Sequence, residues 1–192
     1  MDIVNVYRER MPECRFIGKR YTEADRTGGT FAQKWGEWFR QGWFDMLGQR
    51  VSAQWSAAFP EANSSFGMFR LGAQGEEEYW IGLCLPPGTA VPGGFDHIDL
   101  PAADLGVCWI QGKPPSIYSG EDEALGRMRA EGFTPMEGPE AAFKFLKRYV
   151  SGRYTQPDAQ GNLILDLLAP IRPETPGGAA AAIGRRDGNA QP

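Results

Sequence analysis

A chain of 192 residues can bury about 70% of its unfolded surface, enough for one self-sufficient domain or two fused small halves without disulfides. Its 20 basic residues are interspersed among 24 acidic ones for a formal charge of -4, which argues against nucleic acid as a direct partner, because phosphate binding needs a concentrated basic surface. Cys14, Cys84 and Cys108 are odd in number and far apart, there is no basic-then-apolar leader, and no apolar run reaches the roughly 20 residues of a membrane span. These features argue against a zinc site, a disulfide framework and a membrane partner, and predict buried free cysteines and cytoplasmic residence.

In chain order, residues 2–22 carry Ile3, Val4, Val6, Tyr7, Phe16, Ile17 and Tyr21 around a break at Met11 and Pro12, which predicts two extended pieces or one kinked strand. The loop DRTGGT ends on Thr30, a candidate helix cap. From Phe31 the apolar residues recur at Trp35, Trp38, Phe39, Trp43, Met46 and Leu47, a spacing of three and four that predicts one amphipathic helix, weakened at Gly36 and Gly42. SSFGMFRLG and EEEYWIGLCLP predict two strands joined as a hairpin by AQG, and PPGTAVPGG a crossover. The order then repeats. FDHIDLPAADLGVCWIQG predicts an extended stretch interrupted at Pro101, and SGEDEALGRMRAEGF a helix capped by Ser119 with Ala124, Leu125 and Met128 on its inner stripe. AAFKFLKRYVSGRYT and NLILDLLAPI predict strands joined by PDAQGN.

Strand, helix, strand, strand thus appears twice, over residues of about 1–86 and 94–172. The prediction is an α+β fold of two βαββ units related by a pseudo-twofold axis, with antiparallel sheets, one covering helix per half and a groove at the seam. Residues 173–192 are rich in Gly, Ala and Pro, have nothing to bury, and are expected to form a disordered tail.

MPECRFIGKRYT, WGEWF, EYWIGL, IDLPAADLGVCWIQG and KRYVSGRYTQPDAQGNLILDLLAPI occur in the order and spacing of a known family. Over about residues 2–172 the chain resembles the GyrI-like small-molecule-binding family, which includes the effector-binding domains of AraC-type and MerR-type multidrug regulators. The resemblance implies a duplicated βαββ fold with an aromatic-lined ligand groove along the seam. It implies multidrug binding tied to stress or drug resistance, a lipophilic aromatic ligand, no cofactor, and a protein partner such as gyrase or a separate regulator. Both predicted helices are spent on covering the sheet, so a stand-alone member without a helix-turn-helix is expected.

In regulator members of the family, an acidic residue in the third strand of the second repeat faces the groove and attracts cationic lipophilic drugs. Aligned on Arg148 and Tyr149, that position is Lys147 here. Strand periodicity puts Phe143, Phe145, Lys147 and Tyr149 on one face, three rings around a single ammonium, and Lys144, Leu146, Arg148 and Val150 on the other. Three readings of Lys147 stand open: it snorkels to water over Phe145 and Tyr149, it pairs across the groove with Glu78, or it contacts an anionic or carbonyl-bearing ligand. Glu78 is proposed because it alternates in phase with Trp80. Trp80 and Trp109 lie near the groove at family positions, and Phe66 and Met68 complete the candidate ligand-binding set with Phe145, Lys147 and Tyr149.

Asp166 interrupts an apolar strand and must be hydrogen-bonded or solvated, while His97 is the one histidine and lacks a second ligand for a metal or a suitable setting for haem. Some stand-alone family members are implicated in hydrolysing cyclopropane-bearing natural products. That alternative assigns Glu78 as the base for a water, with Tyr149, Tyr154 and Lys147 as donors. No Ser-His-Asp or Cys-His set is visible, and binding is the preferred expectation over hydrolysis.

Overall fold

The computed structural model describes residues 1–173; the tail expected beyond Pro173 lies outside the described residues. The strands are β1 (Asp2–Met11), β2 (Cys14–Tyr21), β3 (Ser65–Leu71), β4 (Glu77–Leu85), β5 (Asp96–Leu100), β6 (Ala103–Gly112), β7 (Phe145–Tyr149) and β8 (Leu163–Pro170). The breaks fall where Pro12 and Pro101 remove a ladder donor. The helices are α1 (Ala32–Arg40), α2 (Trp43–Gly48), α3 (Ala53–Ala58) and α4 (Glu121–Ala130). No helix among the described residues is long and apolar enough to cross a membrane.

All eight strands join one antiparallel sheet, in the order β1-β6-β8-β7-β3-β4-β2-β5. The expected pair of sheets is therefore a single continuous one. Its halves meet where Ser65–Phe69 of β3 pairs with Phe145–Tyr149 of β7, and from either edge the order is an outer strand, a long strand and a hairpin pair. The outer strands are exchanged: β1 pairs with β6, and β5 pairs with β2. Pairing thus crosses the repeat boundaries drawn at 86 and 94.

The expected long helix from Phe31 to Leu47 breaks at Gly42, whose φ of 64° leaves the right-handed helical region. One ring stripe becomes two short helices, α1 and α2. A third, α3, was not expected; Ser52 caps it by accepting from the Trp55 backbone N–H at 3.1 Å, and its six residues are too few to show a helical period. The first half accordingly carries three helices and the second only α4, whose cap is Gly120 instead of Ser119.

Both faces of the sheet are covered. On one, Phe31, Trp38 and Leu47 from the α1–α2 region bury Ile17, Ile81, Leu83 and Leu85, while Ala124 and Met128 of α4 bury Cys108, Ile110, Leu165 and Leu167. On the other, Trp55 and Phe59, with Phe143, close over Phe16, Phe66, Met68, Trp80, Leu146 and Leu168. The second face is sealed by Trp55, whose indole donates to the Cys84 carbonyl at 3.0 Å. All three cysteines are free and buried.

Gly18 and Gly82 face each other across β2 and β4. A Cβ on either would collide with a carbonyl of the opposite strand, and the Phe16 ring already lies 2.8 Å from where a Gly82 Cβ would stand. Gly82→Val is expected to destabilise the fold by about 1–3 kcal/mol through overpacking, measured as a lower urea midpoint with unchanged slope.

Candidate functional site

The seam between α1 and α4 lies over the β3–β7 junction and is packed with aromatic rings. Trp35 of α1 sits 4.5 Å, centroid to centroid, from Tyr149 of β7, and Tyr149 sits 4.8 Å from Tyr154. The Tyr154 and Tyr118 hydroxyls share a hydrogen bond at 2.7 Å. Trp35 donates its indole N–H to the Tyr79 hydroxyl at 2.8 Å, and Tyr79 stacks on Phe31 at 4.2 Å. Gly67 makes this possible: a side chain there would collide with the Tyr79 hydroxyl and press on the Trp35 ring.

Lys147 lies beneath these rings. It is 6% exposed, with its ammonium 5.7 Å from the Phe69 ring centroid and 5.8 Å from that of Phe145. It donates to the Tyr118 carbonyl at 2.7 Å and to Glu121 Oε1, the first residue of α4, at 2.6 Å. Burial lowers its pKa and the Glu121 carboxylate opposes that shift. Snorkelling to water is thereby ruled out.

The expected partner, Glu78, is on the opposite face. Register settles this: Gly67 is across from both Lys147 and Ile81, so Lys147 shares a face with Phe69, Tyr79 and Ile81, whereas Glu78 shares one with Trp80. Glu78 is buried and held by the Trp80 indole at 2.9 Å, Arg20 at 3.1 Å and Arg70 at 3.4 Å. It cannot pair with Lys147, and it cannot act as a water's base beside Tyr149. The hydrolase assignment loses that residue.

The other candidates divide in the same way. Phe145, Lys147 and Tyr149 face the seam; Phe66, Met68, Trp80 and Trp109 belong to the sealed face. Phe143 also turns to that face, because the chain enters the ladder only at Phe145. There, Arg148 is fully buried and binds Asp166 at 2.9 Å and Glu9 at 2.7 Å, and Arg153 binds the same aspartate at 2.9 Å and lies 4.8 Å above the Trp109 ring. Asp166 is thus paired and structural. Trp35, Phe69, Tyr79, Tyr118 and Glu121 are seam residues that sequence reasoning missed. Phe69 and Tyr79 were one position out of phase with the chosen set, and β4 is buried at eight consecutive positions, so no alternation reveals which of its faces meets α1.

Open space adjoins the seam at the end of the β3–β4 hairpin. A cleft of about 330 Å³ there is lined by Phe31, Phe69 and Tyr79 together with Thr22, Glu23, Arg26 and the acidic run Glu76, Glu77 and Glu78.

No protein-family model matches the chain, and neither does any curated protein. Solved structures do. SAV2435 bound to tetraphenylphosphonium superposes with a TM-score of 0.63 at 14% identity, over 88% of this chain and 94% of that one. The chain has a GyrI-like fold. The EcmrR C-terminal domain (TM-score 0.52, 11% identity, 88% and 97% covered) and a protein from Staphylococcus aureus MU50 (0.59, 15%, 88% and 99%) share it. The GyrI-like resemblance read from the motifs holds at the level of fold.

Burial raises the phenol pKa of Tyr79, Tyr149 and Tyr154, and that of Tyr21 to about 12. Unfolded tyrosines ionise near about 10, so above that pH the native state keeps protons the unfolded chain has lost, and stability falls as pH rises. Lys147, lowered by burial, has the opposite sign and acts below its unfolded value of 10.5. Urea unfolding between pH about 9 and about 11 is expected to show declining stability, with a shallower decline in a Tyr149→Phe/Tyr154→Phe variant. An equal decline in both proteins would place the sensitive groups elsewhere.

Proposed function

We propose that this chain binds a small, flat aromatic molecule at the seam between α1 and α4, against Phe69 and Tyr79. The observation that carries the reading is the Lys147 ammonium, buried among rings and paired with the part-exposed Glu121, at a position where an apolar side chain of similar volume would stabilise the fold as well or better. A buried lysine whose pKa is lowered by burial, in an aromatic wall beside a cleft, is a recurrent mark of a ligand site.

Two further observations support it. The cleft of about 330 Å³ falls within the size range of small-molecule sites. The GyrI-like neighbour SAV2435 is bound to tetraphenylphosphonium, a lipophilic aromatic ion. Its positive charge separates the two proteins: a lone ammonium about 4 Å from a cation costs roughly 4 kcal/mol at an effective dielectric near 20. Here Glu121 neutralises that ammonium, so the seam in its resting state carries no net charge at Lys147. Ring contact is then the dominant attraction.

A neutral flat probe, 2-naphthamide, followed by tryptophan fluorescence, tests this. Binding is expected, and Phe69→Ala and Tyr79→Ala should each weaken it at least fivefold, about 1 kcal/mol. Met68→Leu, on the sealed face, should leave it unchanged. Absence of binding, or an equal loss in the Met68 variant, would contradict the seam as the site.

A further inference from the structure

Lys147 and Glu121 are unequal partners. The lysine side chain is 7% exposed and fixed on the central strand β7, whereas the glutamate side chain is 26% exposed at the first position of α4. The ammonium is enclosed by the seam, whereas the carboxylate is open to water. Among the described residues the ammonium donates two hydrogen bonds, to Tyr118 and to Glu121, one fewer than it can make.

We infer that the ligand of this seam carries a carboxylate head on its aromatic body, and that Glu121 is an internal stand-in which the ligand displaces from Lys147. The inference rests on the seam being the binding site and names the chemical class it takes. Three physical points support it.

The first is charge balance. A buried ammonium needs a counter-charge, and an incoming carboxylate supplies one at the moment Glu121 leaves. A neutral amide or a cation that evicted Glu121 would strand the ammonium. The second is the small cost of eviction. Glu121 moves into solvent, and Asp122 and Glu123 remain in the first turn of α4 to complement its dipole. Gly120, the cap, has no side chain to tie that turn down. The third is geometry. Phe69 and Phe145 flank the ammonium at nearly equal distances, so a flat ring with its acid group on Lys147 meets aromatic surface next to the charge. The pattern recognises an aryl carboxylate by the same elements that hold Glu121 in place.

The test uses 2-naphthoate and 2-naphthamide, equal in shape and different in charge, titrated by calorimetry into the full chain and its Glu121→Gln and Lys147→Met variants. Glu121→Gln removes the competing charge and should tighten 2-naphthoate at least about tenfold more than it changes 2-naphthamide. Lys147→Met, an apolar replacement of similar length, should bring the ratio of 2-naphthoate to 2-naphthamide affinity to one or below. Circular dichroism and urea midpoints establish that the variants are folded. If Glu121→Gln leaves 2-naphthoate within about twofold, or tightens both probes equally, the stand-in role is overturned. Should 2-naphthamide still bind with its dependence on Phe69 and Tyr79, the aromatic seam survives that result. If neither probe binds any of the three proteins, the seam and its ligand class fail together.

Discussion

One sheet buried on both faces is the constraint from which the rest of this structure follows. Every central strand must present two sets of side chains to two different covers, so a shift of one residue moves a group from one chemical world to another. Neighbouring residues Lys147 and Arg148 illustrate this. Arg148 points to the sealed face, where Glu9 and Asp166 surround it with carboxylates and the charge is fully spent on structure. Lys147 points to the seam, where one carboxylate from a helix terminus meets it under a roof of rings.

The two buried charges have different consequences. The arginine is held by strands β1 and β8, both on the β7 side of the junction, and ties together elements more than a hundred residues apart. Its partners are buried with it, so no ligand reaches them. The lysine's partner lies at the protein surface, on a helix end without a side-chain cap, and the surrounding rings supply polarisable surface without satisfying the ammonium's remaining donor. A structural clamp and an exchangeable contact therefore sit back to back on one strand. Gly67, Trp35 and Tyr79 add the shape: the missing Cβ lets the Tyr79 hydroxyl and the Trp35 ring approach the strand at the junction.

Much of the fold was legible in the sequence. Prolines marked the strand breaks, AQG marked the central hairpin, and motif order pointed to the GyrI-like fold that the solved structures share. The ring-and-ammonium face of β7 was also legible, because Phe145, Lys147 and Tyr149 alternate cleanly over the five residues that form the strand. What could not be read was the phase of its neighbours. β4 is apolar on both faces, so the choice between Glu78 with Trp80 and Tyr79 with Ile81 depended on a register that only pairing supplies. Glu121 was hidden for another reason: in a run of three acidic residues opening a helix, each has the same local role, and only the fold selects which one reaches Lys147. The weakening read at Gly42 is a full break, and the short α3 escaped notice because propensity over so few residues is outweighed by the tertiary cover it completes.

The central claim is that the Lys147 ammonium is held inside the seam by Glu121 and is open to an arriving carboxylate. The most direct measurement is nitrogen-15 NMR of the lysine side-chain ammonium groups in labelled protein, titrated with 2-naphthoate. The account predicts one ammonium signal protected from water exchange, absent in Lys147→Met, that shifts with the acid and not with 2-naphthamide. An ammonium exchanging as fast as those of surface lysines, or a protected one indifferent to the acid, would contradict it.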